Sequence, residues 1–337
     1  MAALSSTGAR GGGRGVSLGE RPHRRETCDA PWRRASGAGR IRWVLVPHSL
    51  DRILRETARK LAEAGVPDPV VDAELIAAHV LGGGHGAPGW SRGAVQAAAL
   101  RGDEIEGPAA AEIGALAERR SRREPLQHLT GRAPFRHLEL AVGPGVFVPR
   151  PETETVAQFA IDALRAAPVP APIGIDLGTG SGAIALAMAT EVPHARVFAA
   201  EVSPEAHAWA RRNTERQENL TLVQADLADA FEELAGRADV VISNPPYVPD
   251  AAVPRDPEVR LHDPALALYG GEDGLDVVRV ISRRALTLLH PGGLLVLEHG
   301  ELQGAQIRAL LEDDGWRATA THRDLTQRDR ATTAIRP

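Results

Sequence analysis

The chain has 337 residues, room for two modest domains, and its 43% apolar content is ordinary for a globular protein. No apolar run reaches the roughly eighteen residues of a membrane-spanning helix, and the single cysteine, Cys28, excludes an internal disulfide and a cysteine-built zinc site. The net charge of −5 hides an asymmetry: nine arginines against Glu20, Glu26 and Asp29 give residues 1–45 a charge of +6, leaving −11 on the remainder, too acidic a body for general binding of phosphate backbones.

Residues 1–45 are rich in Gly, Ser and Arg with almost no apolar periodicity, and the expectation is a disordered extension. An alternative start at a valine such as Val44 or Val46 would place this stretch outside the natural protein. From Ser49 the pattern becomes helical: Leu50, Ile53, Leu54, Ala58 and Leu61 share a face, and Gly65 and Pro67 stop the run. Asp72 to Leu81, Ala94 to Leu100 and Ala109 to Arg123 predict three more helices, so residues 46–130 read as a small bundle, either a packing domain or a docking domain for a partner.

Within 131–150 the helical period breaks. Phe135, Leu138, Leu140, Val142, Val146 and Val148 alternate around Gly143-Pro144-Gly145, which predicts a β-hairpin linking two domains. Residues 151–337 then alternate apolar strands with helical stretches. The strands expected are Ile173–Asp176, Arg196–Glu201, Thr221–Gln224, Asp239–Ser243 and Leu294–Glu298, an order that predicts an α/β domain on a mostly parallel sheet.

The first of these strands runs into Gly178-Thr179-Gly180-Ser181-Gly182 and then a helix over Ala183–Ala189. Glycines let a backbone approach a ligand closely, and ligands of open α/β sheets sit beyond the carboxyl ends of the strands. The spacing is neither that of the dinucleotide fingerprint nor that of a P-loop. Glu201 ends the second strand, where a carboxylate can accept both hydroxyls of a ribose, and Asp226 follows the third, where it can accept from an adenine amino group. The combination predicts a nucleoside carrying a small charged tail, S-adenosylmethionine. The cofactor-binding set expected is Asp176, Gly178, Thr179, Gly180, Ser181, Gly182, Glu201, Asp226, Leu227 and Asn244.

Asn244-Pro245-Pro246-Tyr247 follows the fourth strand. The prolines fix the backbone and remove two donors. The Pro245 carbonyl and the Asn244 side chain then offer acceptors for both hydrogens of a planar –NH2 group, and Tyr247 can cover its flat face. Such a grip favours a pyramidal nitrogen whose lone pair can meet an electrophilic methyl group, so Asn244, Pro245, Pro246 and Tyr247 are the expected catalytic and substrate-binding residues. No nucleophilic triad is required, and the twelve histidines form no persuasive metal cluster in the sequence.

Seven motifs, in order, resemble the HemK/PrmC family of release factor glutamine N5-methyltransferases over about residues 50–337: Asp72 to Leu75, Pro125 to Gly131, Pro149-Arg150-Pro151-Glu152-Thr153-Glu154, Asp176 to Gly182, Asn244 to Tyr247, Gly271 to Leu275, and Glu298-His299-Gly300. The Pro-Arg-Pro-Glu-Thr-Glu stretch discriminates best, because Asn-Pro-Pro-Tyr also occurs in enzymes that methylate amino groups of nucleic acids. The resemblance implies a helical N-terminal domain, a hairpin linker and a class I methyltransferase fold. It further implies that the substrate is the glutamine in the Gly-Gly-Gln tip of class I peptide chain release factors, methylated by a cytoplasmic monomer. Two positions depart from the family: Arg136 and His137 stand where an aromatic is common, and Leu227 where some members carry Trp. Both departures are expected to affect the packing of the cofactor. Competing readings are a glutamine methyltransferase of a ribosomal protein and, less favoured by the acidic body, an adenine N6-methyltransferase of DNA or RNA.

Overall fold

The computed structural model describes residues 48–83 and 90–337, all within one compact unit spanning Leu45–Pro337. The stretch expected to be disordered, residues 1–45, lies outside the described residues.

The N-terminal part packs α1 (Leu50–Glu63), α2 (Pro69–Leu81), α3 (Arg92–Arg101) and α4 (Gly107–Ser121) around Leu50, Leu61, Ile76, Val95, Ala98 and Ile113. Two two-residue strands, β1 (His48–Ser49) and β2 (Glu104–Ile105), pair at its edge. Helix α1 starts at Ser49, whose hydroxyl accepts from the Arg52 amide. Helix α2 starts earlier than the apolar pattern suggests, because Pro69 occupies its first turn, where no N–H is needed. A fifth short helix, α5 (Leu126–Thr130), ends at Gly131 in the left-handed region. Its five residues are too few to show a period, which is why sequence reasoning passes over it.

The expected hairpin forms, but elsewhere in the segment. Strands β3 (Arg132–Phe135) and β4 (Leu138–Ala141) pair antiparallel and turn at Arg136-His137, with Arg136 at φ 54. Gly143-Pro144-Gly145 is instead a loop pressed on Trp209, whose indole N–H donates to the Pro144 carbonyl at 3.2 Å. A Cβ on Gly143 would lie 2.5 Å from the Trp209 ring, so glycine is required there for contact rather than for a turn.

The remaining elements are α6 (Pro151–Ala166), β5 (Ile173–Leu177), α7 (Ala183–Glu191), β6 (Arg196–Glu201), α8 (Pro204–Thr214), β7 (Leu220–Gln224), β8 (Ala238–Ser243), α9 (Pro257–His262), α10 (Ala265–Leu268), α11 (Asp276–Leu288), β9 (Leu289–Glu298), α12 (Gly304–Asp313), β10 (Arg317–Arg323) and β11 (Asp329–Ile335). Seven strands form one sheet in the order β10-β11-β9-β8-β5-β6-β7. The five strands from β9 to β7 run parallel, and β11 and β10 join antiparallel. Helices α6 and α7 cover one face through Val156, Ile161, Leu164 and Met188. Helices α11 and α12 cover the other through Val278, Ile281, Ile307 and Leu311. The alanines of α7 bring its backbone close to the sheet; Ala183 to Ala189 are all buried. This is the α/β, mostly parallel architecture that the strand–helix alternation predicts.

The strand order reverses between β5 and β8: the chain steps outward through β6 and β7, then returns to β8 on the other side of β5. In open parallel sheets that reversal opens a crevice at the carboxyl ends of the strands. Among the described residues, no helix is long and apolar enough to cross a membrane.

Candidate active site

A cavity of about 820 Å³ occupies that crevice. Its floor is the turn after β5. Gly178 and Gly180 hold φ angles of 75° and 58°, and a Cβ on either would meet no protein atom within 4 Å. Bare backbone therefore faces the cavity, a cradle that any side chain would fill. Gly178 and Thr179 donate their amides to the Ala200 carbonyl at 2.9 Å, which fastens the turn to the neighbouring strand. Asp176 is wholly buried and does not line the cavity. Its carboxyl accepts from the Thr179 hydroxyl at 2.6 Å and from the Ala185 amide at 3.2 Å, so it braces the turn from behind. Burial lifts its pKa to about 7 against those two hydrogen bonds. Gly182 is also absent from the wall: a Cβ there would lie 3.1 Å from Thr214, so this glycine permits α8 to pack closely. Of the expected cofactor set, the structure brings Gly178, Thr179, Gly180, Ser181, Glu201, Asp226, Leu227 and Asn244 to the cavity, and places Asp176 and Gly182 behind it.

Glu201 is buried at the end of β6. Its two oxygens accept from the Gly180 amide at 2.8 Å and the Ser203 amide at 2.9 Å. Each carboxylate oxygen has a further lone pair, so the group is fixed in direction and still able to accept two ligand hydroxyls. Asp226 is exposed at the rim, with Oδ1 taken by the Ala228 amide at 2.9 Å. The departures from the family pattern divide: Leu227 lines the cavity, but Arg136 does not. Arg136 instead pairs with Glu191 and donates to Gln158 at 2.6 Å, tying the hairpin turn to α6 and α7, so the expectation that it disturbs cofactor packing is corrected.

The opposite wall is Asn244-Pro245-Pro246-Tyr247, leaving the carboxyl end of β8. The Asn244 Nδ2 donates to the Thr153 hydroxyl at 3.4 Å. Behind the loop lie Gly270 and Gly274, so close that a Cβ on either would collide with the Pro246 or Tyr247 carbonyl. The Gln303 amide donates to the Tyr247 carbonyl at 2.9 Å. Burial, reinforced by the nearby Glu298, pushes the Tyr247 phenol up to about 12, so it stays neutral.

Sequence reasoning assigned no site role to several wall residues: Phe147, Arg150, Thr153, Glu298 and Arg330. Arg150 stacks 5.0 Å from the Phe147 ring centroid and pairs with the buried Asp263 at 2.8 Å. The signal for Arg150, Thr153 and Glu298 was their place in the Pro-Arg-Pro-Glu-Thr-Glu and Glu-His-Gly motifs. The outer wall is α9 and α10, and α9 is held to the N-terminal helices by Glu258, which forms an ion pair with Arg120 at 2.8 Å and accepts from Arg123 at 2.9 Å. Among the described residues, no group of three or more His, Cys, Asp or Glu is placed to hold a metal ion.

A glycine cradle, a directed carboxylate and an Asn-Pro-Pro-Tyr loop at the switch point of a parallel sheet define a class I S-adenosylmethionine-dependent methyltransferase. Two family models match the chain, the PrmC N-terminal domain over residues 52–131 and the methyltransferase small domain over residues 137–261. The release factor glutamine methyltransferase of Streptomyces coelicolor is 49% identical over 83% of this chain and 95% of its own length, and that of Bifidobacterium longum 43% identical over 84% and 98%. The chain belongs to the release factor glutamine methyltransferase family. A 4-amino-L-phenylalanine/4-methylamino-L-phenylalanine methyltransferase of Streptomyces pristinaespiralis is 39% identical over 69% of this chain and 80% of its own length.

The residues present fit the cofactor. The cradle leaves room for a ligand against bare backbone, Glu201 has acceptors for ribose hydroxyls, and Leu227 and Val202 offer apolar surface beside Asp226 for a base.

Proposed function

We propose that this cavity methylates the side-chain amide nitrogen of the glutamine in the Gly-Gly-Gln tip of class I peptide chain release factors, in the cytoplasm and as a monomer. The observation that carries the reading is the Asn244 loop. With Nδ2 given to Thr153, Asn244 Oδ1 is left as an acceptor for one amide hydrogen of the substrate, and the Pro245 carbonyl serves the other. An amide nitrogen is a poor nucleophile because its lone pair is delocalised into the carbonyl. Drawing both hydrogens toward fixed acceptors bends the nitrogen toward a pyramid and frees the lone pair. The cofactor supplies an electrophilic methyl carbon on a sulfonium sulfur, and transfer exchanges a C–S bond for a C–N bond. The nitrogen then loses a proton to water. Positioning and preorganised dipoles provide the acceleration. The two glycines behind the loop and Gln303 keep those dipoles still.

The match of the N-terminal domain and the near-complete coverage of the release factor enzymes support a protein substrate. The arylamine-methylating relative is consistent with the same grip on a planar –NH2 group.

Mass spectrometry of the tip peptide tests the assignment. Purified release factor should gain one methyl group on the glutamine. A release factor with that glutamine changed to alanine, a ribosomal protein, tRNA and 4-amino-L-phenylalanine should gain none. Asn244→Ala should keep cofactor affinity by calorimetry and lose transfer by about 10²–10³-fold. Asn244→Asp should fail too, because its carboxylate cannot donate. Wild-type-like transfer by Asn244→Ala, or methyl in the glutamine-free tip, would overturn the reading.

A further inference from the structure

We propose that Glu298 is a positioning residue that sets which way the Asn244 amide faces: its carboxylate and the Thr153 hydroxyl take the amide's N–H groups and leave Oδ1 turned to the substrate. The inference rests on the role given to Asn244 above.

The geometry begins with register. Ser243 of β8 pairs with Leu297 of β9 in the parallel sheet, so Asn244 and Glu298 leave adjacent strands side by side. Glu298 is 2% exposed and lines the cavity wall. Its carboxyl faces the Thr153 and Asn244 side chains, while Asn244 Nδ2 donates to Thr153 Oγ1. Three motifs far apart in sequence thus meet at one amide. Glu298 Oε2 is buried with no hydrogen-bond partner. That oxygen therefore keeps its lone pairs for a donor in the site.

The two ends of a carboxamide are nearly the same shape, so only the partners decide which end faces where. An ionised carboxylate accepts and never donates. Against it, a flipped Asn244 would set oxygen against oxygen and present its own –NH2 to the –NH2 of the substrate. A protonated Glu298 has an O–H to give and tolerates the flip. Only the ionised form selects the working orientation.

The charged surroundings are Glu152 from α6, Arg330 from β11 and the neutral Tyr247 from the loop after β8, with Arg328 paired to Glu152 at 2.8 Å. His299, just past the end of β9, is held toward its neutral form by burial. Burial, helped by Glu152, raises Glu298 to about 7 against the pull of Thr153, Arg330 and Asn244. Turnover should therefore rise as pH climbs through about 7 and be lost below it.

Single-turnover transfer to release factor, measured against pH with both substrates saturating, tests this. Glu298→Gln is isosteric but carries both a donor and an acceptor. It should lower the rate by about 10²-fold, flatten the limb near neutrality, and leave cofactor affinity and melting temperature unchanged. Thr153→Val should slow transfer in the same way, and Thr153→Ser should restore it. A wild-type rate with an unchanged limb in Glu298→Gln overturns the proposal, as does full activity in Thr153→Val. If Asn244→Ala also transfers normally, the reading of the site itself has failed. If Asn244→Ala is inactive while Glu298→Gln behaves as wild type, only the role of Glu298 has failed.

Discussion

Cofactor affinity should turn on Glu201, because this side chain does two things at once. It receives the Gly180 amide, which shapes the cradle, and it keeps lone pairs for a ligand. Glu201→Ala should weaken S-adenosylmethionine binding by about 1.5–3 kcal/mol, the usual loss for a hydrogen bond to a charged group. Gly180→Val should abolish binding more fully, since its φ of 58° disfavours a branched residue and the side chain would project into the cavity. Calorimetry reads both variants, and unchanged affinity in both would remove these residues from the site. Glu201 and Asp226 were legible in the sequence because a strand end can be located from its apolar run. The buried roles of Asp176 and Gly182 were not, because a motif does not say which of its residues look outward. Nor does the Glu-His-Gly motif say that Glu298 abuts Asn244; that depends on β8 lying beside β9.

Between elements, an ion cluster joins the helical bundle to α9. Arg120 is 4% exposed and lies 2.7 Å from Asp72 of α2 and 2.8 Å from Glu258 of α9. Burial raises the pKa of Asp72 while Arg120 pulls it down, so the carboxylate depends on that guanidinium. Arg120→Met should leave Asp72 uncompensated and Glu258 with Arg123 alone, and destabilise the protein by about 3–5 kcal/mol. Urea unfolding would show it, and because α9 walls the cavity, the KM for release factor should rise as well. A loss below about 1 kcal/mol, the range of an exposed pair, would mean that the cluster is solvated. The central strands were readable as elements because each is an apolar run buried on both faces. The C-terminal pair β10 and β11 was not, since Arg317–Arg323 and Asp329–Ile335 are mostly Arg, Thr and Ala. Their threonines are satisfied by partners distant in sequence: Thr332 by His299 at 2.9 Å and Thr333 by His322 at 2.8 Å. The hairpin after α5 was foreseen but misplaced, because Gly-Pro-Gly has the composition of a turn and serves here as a packing surface for Trp209.

For the whole molecule, the matched regions begin at residue 52 and the cavity is lined from Gly145 onward. Deleting residues 1–44 should therefore leave melting temperature and kcat/KM for release factor unchanged. A clear drop in kcat/KM with stability intact would show that the arginine-rich stretch contacts the substrate. The sheet order carries a consequence of its own for how this protein comes into being. Strand β11 lies between β9 and β10, although it is made after both. During synthesis β9 and β10 emerge first but have no pairing with each other in the finished sheet; the seat between them stays vacant until the last strand arrives. Arg330, on that strand, is part of the cavity wall beside Glu298. A nascent chain halted at residue 328 would have its cofactor cradle and Asn244 loop fully translated, yet lack both the strand that completes the sheet and the side chain that closes the site. The sheet between β9 and β10, and with it the cavity wall at Arg330, is therefore complete only when β11 is in place.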